Sequence, residues 1–220
     1  MKKQEILSHI DHTLLKATST WEEIKGICED ALAYHTASVC IPPSYVGRVH
    51  QAYPQLNICT VIGFPLGYNP TAVKVAEVKE VTEAGATEVD MVINLGDVKN
   101  GDFDAVTEEI RALKEAAGDK ILKVIIETCY LTEEEKIRIC GCVTEGGADF
   151  IKTSTGFGTA GAKIEDIRLF KKYIGPNVKI KAAGGVKTVA DLEMFLNEGC
   201  ERIGTSSAVK ILAGQEAESY

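Results

Sequence analysis

The chain has 220 residues, of which 45% are hydrophobic and 25% charged, with a formal net charge of −8. That composition belongs to a soluble globular protein, and the acidic balance argues against nucleic-acid or anionic-membrane surfaces, which call for excess Lys and Arg on one face. No apolar run approaches the ~18 residues of a membrane span and "MKKQEILSHID" lacks a signal-peptide core, so a cytoplasmic protein with neither nucleic-acid nor membrane partners is expected.

Strand-like runs and amphipathic stretches alternate along the whole chain. A short, ambiguous run, "HIDHTLL" (9–15), comes first, and "TSTWEEIKGICEDALAY" after it has helix periodicity. Then follow "ASVCI" (37–41), "NICTVIGF" (57–64), the helical "NPTAVKVAEVKEVTEAG", "TEVDMVI" (87–93) and the helical "FDAVTEEIRALKEAAG". "ILKVIIE" (121–127) leads to "LTEEEKIRICGCVTEGG", "DFIKT" (149–153) to "KIEDIRLFKKYIG", and "VKIKAA" (178–183) to "TVADLEMFLNEG". "ERIGT" (201–205) is the eighth strand run. Gly85, Gly118, Gly146, Gly175 and Gly199 stand where helix C-termini are expected. Eight such units predict a parallel sheet closed into a (β/α)8 TIM barrel, one catalytic domain over 1–220, with an open doubly wound sheet as the alternative.

In a barrel, polar residues at the C-terminal ends of strands mark the active face. Asp11, Asp90, Asn94, Glu127, Thr128, Lys152 and Lys181 fall there, and Lys152 and Lys181 belong to neighbouring strand runs. Two amines and a carboxylate inside an apolar barrel are costly to desolvate and hard to explain as packing. A lysine attacks a carbonyl only as the neutral amine, and a second ammonium ~5 Å away costs roughly 3 kcal/mol at an effective dielectric of ~20. One lysine is therefore expected to be a nucleophile and the other the cation that activates it. "AAGGV" (182–186) and "GTSSAV" (204–209) supply Gly184, Gly185, Gly204, Ser206 and Ser207 to the seventh and eighth loops, where barrels commonly cradle phosphate. The seven cysteines are odd in number and lack CxxC spacing, which reads as free, mostly buried thiols. "HIDH" offers His9, Asp11 and His12 as metal donors, but strand alternation turns His12 away from the other two, which is poor geometry for a metal site.

In "IDHTLL", "VCIPPSYV", "VIGFPLG", "EVDMVINLGDVKNGD", "KVIIETCYLT", "FIKTSTGF", "IKAAGGVKT" and "RIGTSSAV", taken in order, the chain resembles the deoxyribose-phosphate aldolases, class I (Schiff-base) aldolases. The resemblance implies reversible cleavage of 2-deoxy-D-ribose 5-phosphate to D-glyceraldehyde 3-phosphate and acetaldehyde, in deoxyribose phosphate catabolism, with no metal or organic cofactor. It assigns Lys152 as the Schiff-base lysine, Lys181 as its partner, Asp90 as the acid/base and Asp11 as a residue that orients the proton network. Gly184, Gly185, Gly204, Ser206 and Ser207 would hold the phosphate, with Thr155 and Gly156 as weaker candidates. A C-terminal tyrosine, here Tyr220, also resembles the family and would reach over the mouth. Phe157 departs from the pattern, standing where some members carry lysine. A homodimer is compatible with such barrels. Another Schiff-base phosphosugar aldolase, a metal-dependent lyase built on "HIDH", and a non-catalytic phosphate-binding barrel remain as alternatives.

Overall fold

Each of the eight strand-like runs contains a strand of a closed parallel barrel. They are β1 (Ile10–Thr13), β2 (Ser38–Ile41), β3 (Ile58–Ile62), β4 (Glu88–Val92), β5 (Ile121–Ile125), β6 (Phe150–Lys152), β7 (Lys179–Ala183) and β8 (Arg202–Thr205), hydrogen-bonded in sequence order with β8 returning to β1. The structure is a computed structural model and describes residues 1–214.

α1 (Lys3–Leu7) precedes β1; between the strands run α2 (Trp21–Tyr34), α3 (Val46–Ala52), α4 (Thr71–Glu83), α5 (Leu95–Asn100), α6 (Phe103–Ala117), α7 (Glu133–Glu145), α8 (Ile164–Tyr173) and α9 (Val189–Glu198); and α10 (Ala208–Leu212) follows β8. Three of the expected helices start at capping boxes, Thr20 with Glu23, Thr132 with Glu135 and Thr188 with Asp191, each pair satisfying backbone N–H groups that a helix start leaves unpaired. Gly118 and Gly199 take positive φ at the ends of α6 and α9, as expected of C-terminal glycines. Gly146 instead stays right-handed at the end of α7, and Gly147 makes the reversal.

The sheet has two unlike faces. Val39, Ile41, Ile58, Ile62, Val89, Met91, Leu122, Val124, Ile151, Ile180 and Ile203 lie in the main apolar core with the buried residues of the helices. Their neighbours in sequence point into the barrel, because successive side chains on a strand alternate. The hydrophobic core is thus the layer between sheet and helices. Inside the barrel, Leu15, Cys40, Cys59 and Val61 form a small separate apolar cluster, and most other inward positions are charged or polar.

Candidate active site

Strand register sorts the inward residues into layers contributed by alternate strands, as barrel geometry requires. The pairings Asp11↔Ser38, Cys40↔Cys59, Cys59↔Glu88, Asp90↔Lys123, Lys123↔Phe150, Lys152↔Lys181, Lys181↔Arg202 and Gly204↔Asp11 define three layers. The lowest holds Ser38, Glu88, Phe150 and Arg202, the middle Asp11, Cys59, Lys123 and Lys181, and the uppermost Cys40, Asp90, Lys152 and Gly204. Lys152 and Lys181 are thus side by side, as their places in adjacent strand runs predict.

Asp90 is the hub. Its Oδ2 accepts from Lys152 Nζ and from Lys181 Nζ, each at 2.7 Å. Its Oδ1 accepts from Lys123 Nζ at 2.8 Å and from the Cys59 thiol at 3.2 Å. Below it, Lys123 pairs with Glu88 at 2.7 Å and with Asp11 at 3.6 Å, and Lys181 pairs with Asp11. Arg202 grips Glu88 through two nitrogens, at 2.8 and 3.0 Å, and also reaches Asp11, whose Oδ1 accepts from Ser38 Oγ at 2.8 Å. Asp11, Asp90, Lys123 and Lys181 are fully buried, and only 3% of Lys152 is exposed.

Burial alone would drive these groups toward neutrality, and the mutual pairing overcomes it. Burial pushes Asp90 up, but Lys123, Lys152 and Lys181 outweigh it and hold the carboxyl well below the usual carboxylate range. Asp11 is likewise held down, by Lys181, Lys123 and Arg202 against its burial. Burial would lower Lys181 and Lys123, yet the surrounding carboxylates keep both ammonium groups above the ordinary lysine value. The expected repulsion between Lys152 and Lys181 is therefore met by a shared carboxylate oxygen lying between them.

The four cations are unequally supported. Lys123 contacts three carboxylates, Lys181 and Arg202 two each, and Lys152 only Asp90. Against the three carboxylates there is one cation in excess. Lys152 is the uppermost of the four and the least supported.

The expected phosphate residues separate into groups. Gly184 and Gly185 follow β7 with φ of 77° and 76°, and a Cβ on Gly161 would lie 2.4 Å from the Gly184 carbonyl carbon, so the sixth and seventh loops meet backbone to backbone. Gly156, at φ 89°, packs at the same junction. Ser206 and Ser207 lie just before α10, with the Ser207 amide bonded to Thr205 Oγ1 at 3.1 Å. Gly204 is elsewhere: it is a strand residue within the barrel, and a Cβ there would meet Lys181 Cε at 3.2 Å and Ala183 Cβ at 3.3 Å. Standing one residue before the end of β8, it also leaves room for Lys181. Thr155 is also committed, because its hydroxyl donates to Glu127 and its amide to the same carboxylate at 3.2 Å. Glu127 is buried in a left-handed conformation, φ 52°, unusual for a residue with a side chain. Phe157 is half exposed on the rim and meets Phe64 edge to face, with ring centroids 5.3 Å apart. Tyr220 lies outside the described residues.

Lys123, Glu88, Arg202 and Cys59 are the members that the sequence reading missed. Lys123 carries the signal used for Lys152, a charge within an apolar strand run. The buried Ser154 hydroxyl, in the loop after β6, has no hydrogen-bond partner among the described residues. The "HIDH" donors diverge: Asp11 points inward, His12 points outward to lie 3.5 Å from Asp30, and His9 Nδ1 is 2.9 Å from the Glu201 carbonyl oxygen. Cys40, Cys59 and Asp90 have ligand atoms within 4.8 Å of one another, a spacing a metal could use, but the Lys123 ammonium already serves as the cation there, 3.2 Å from Cys59 Sγ.

A closed (β/α)8 barrel whose interior carries a connected lysine–carboxylate cluster rising to the C-terminal mouth is an enzyme architecture. The family model for DeoC/LacD family aldolases matches residues 6–209. The chain belongs to that family and is an aldolase, an aldehyde-lyase acting on small molecules. It is 65% identical to a deoxyribose-phosphate aldolase of Clostridium botulinum strain Alaska E43, over all of both chains. It is 58% identical to one of Clostridioides difficile strain 630, over 99% of this chain and all of that one. A tetrameric deoxyribose phosphate aldolase from Aeropyrum pernix superposes with a TM-score of 0.90 at 31% identity, covering 97% of this chain and 92% of that one. Among the described residues, no helix is long and apolar enough to cross a membrane.

Proposed function

We propose that the protein is a deoxyribose-phosphate aldolase that cleaves 2-deoxy-D-ribose 5-phosphate reversibly to D-glyceraldehyde 3-phosphate and acetaldehyde through a Schiff base on Lys152. The observation that carries the reading is one Asp90 oxygen held at 2.7 Å by both Lys152 and Lys181. A nucleophilic amine, a fixed cation and a proton acceptor then meet at one point beneath the mouth. The names of the close relatives support the substrate.

Neutral Lys152 adds to C1 of the open-chain sugar, and loss of water from the carbinolamine gives a protonated imine. The imine draws electrons as the C3 hydroxyl loses its proton and the C2–C3 bond breaks, which releases glyceraldehyde 3-phosphate and leaves the enamine of acetaldehyde. Protonation at C2 and hydrolysis free the amine. Asp90, ionised throughout the neutral range, accepts protons passing to and from the Lys152 nitrogen. Lys181, held as an ammonium, stabilises the oxygen charge that builds up in addition and cleavage. Asp11 and Lys123 fix both from below. Gly184, Gly185, Ser206 and Ser207, with Gly156 beside them, hold the phosphate and so align C2–C3 over Lys152.

On this reading the whole chain works as one catalytic domain in the cytoplasm, in breakdown of deoxyribose phosphate, and pairs as a homodimer. Sedimentation measures the pairing. The test of mechanism is borohydride reduction in the presence of acetaldehyde followed by peptide mass spectrometry. An ethyl adduct on Lys152, absent from Lys152→Ala, is expected. An adduct confined to surface lysines overturns the assignment.

A further inference from the structure

Cys40 and Cys59 are the only cysteines in the layers defined above, and they are register partners on β2 and β3. Adjacent strands lie ~4.8 Å apart, inside the ~4.4–6.8 Å Cα separation that a disulfide spans. Both side chains point into the barrel and are fully buried, and their sulfurs lie within 4.8 Å of each other and of an Asp90 oxygen. The surroundings are electropositive, with Lys123 Nζ 3.2 Å from Cys59 Sγ and Lys152 and Lys181 on the far side of Asp90.

We infer that Cys40 and Cys59 form a thiol pair that hydrogen peroxide converts to a disulfide inside the barrel, switching the aldolase off reversibly. The two thiols have complementary characters. The neighbouring Cys59 thiol, together with Lys181 and Lys152, holds Cys40 below the ordinary thiol value despite burial and Asp90, whereas burial, with Cys40 and Asp90 beside it, pushes Cys59 well above it. Cys40 is thus the attacking sulfur and Cys59 the resolving one. The Cys40 thiolate attacks one peroxide oxygen, the O–O bond breaks, and water and a sulfenic acid result. The Cys59 sulfur then attacks the Cys40 sulfur, the S–O bond breaks and a second water leaves, so that two thiols and one peroxide become one disulfide and two waters.

A cavity large enough for a molecule of that size lies against the cluster that holds the two cysteines. Leu15, Val61 and Phe64, which pack on the two cysteines, also line a cavity of about 140 Å³ with Pro42, Pro43 and Glu77. The consequence for turnover rests on the aldolase reading. Oxidation removes the Cys59 S–H that donates to Asp90 Oδ1 and draws the sulfurs together beside the hub, which changes the oxygen that Lys152 and Lys181 depend on.

The test exposes the native full-length protein to hydrogen peroxide, alkylates the remaining thiols under denaturing conditions, and maps peptides by mass spectrometry alongside turnover. Expected are a Cys40 peptide joined to the Cys59 peptide, lighter by two hydrogens, and a fall in turnover of at least ~10-fold that a thiol reductant reverses. In Cys59→Ser the linked peptide is absent, and oxidation proceeds at Cys40 to a sulfinic acid that the reductant does not restore. Absence of the linked peptide, or its formation only in denaturant, overturns the pairing whatever the substrate proves to be. A linked protein with undiminished turnover overturns the switch.

Discussion

Asp90→Asn tests the hub most directly, because the substitution keeps the shape and removes the charge. The carboxylate meets three ammonium groups at 2.7, 2.7 and 2.8 Å. At an effective dielectric of ~20, each such contact has a gross attraction of ~6 kcal/mol. That sum is not what is lost, since a buried lysine left without its partner can release its proton. For an amine of ordinary proton affinity, release at pH 7 costs at most ~4.6 kcal/mol, and breaking a buried pair typically costs ~3–5 kcal/mol. The expected destabilisation at pH 7 is therefore ~3–5 kcal/mol. It also has a pH signature: the folded variant binds one proton fewer than its unfolded chain, so its stability rises relative to the parent by up to ~1.4 kcal/mol per unit between pH 7 and 9. Urea unfolding of both proteins at several pH values measures this. A destabilisation under ~1 kcal/mol, or one that does not change with pH, refutes the account of Asp90 as the charge hub.

Acid unfolding tests the same cluster from the other side. Asp11 and Asp90 have depressed folded-state values, so their contribution is complete above the unfolded carboxylate value near pH ~4 and disappears as pH falls toward the folded values. Lys123 and Lys181 are raised, so theirs is complete below pH ~10 and lost only at higher pH; urea midpoints should show this plateau, and a decline beginning near neutrality would contradict it. Lys181→Met should reduce kcat by ~10²–10⁴ while Lys152 still traps acetaldehyde with borohydride, and loss of trapping would mean that Lys181 is itself the nucleophile. Gly161→Ala pushes on the Gly184 backbone, and should raise KM for 2-deoxyribose 5-phosphate ~10-fold or more while sparing unphosphorylated 2-deoxyribose. Equal effects on both substrates would remove Gly184 from the phosphate site.

The strands were legible because their outward residues are aliphatic and β-branched whatever lies inside. The pairing of Lys152 with Lys181 followed from their places at the ends of adjacent strand runs. The lower half of the cluster was not legible. Lys123 lies within "ILKVIIE" and Glu88 and Arg202 at the starts of strands, where a charge ordinarily means solvent, and only register shows that they face one another. Nor does the sequence show that Gly204 yields space to Lys181, or that Thr155, in the loop after β6, answers to Glu127 across 28 positions of chain. The short α3, with only Val46 and Val49 buried, is too brief to display a helical period.

The two faces of the sheet also divide the molecule's capacity for change. The aliphatic residues that hold strands to helices point away from the chemistry, and the inward residues add almost nothing to that apolar layer. Cys40, Val61 and Ala183 can therefore be varied to reshape what the mouth accepts without thinning the layer that keeps the barrel closed, whereas Gly204 must stay small beside Lys181. A library limited to Cys40, Val61 and Ala183 should yield mostly folded proteins of differing selectivity, whereas one of equal size on the outward positions of the same strands should yield mostly aggregates.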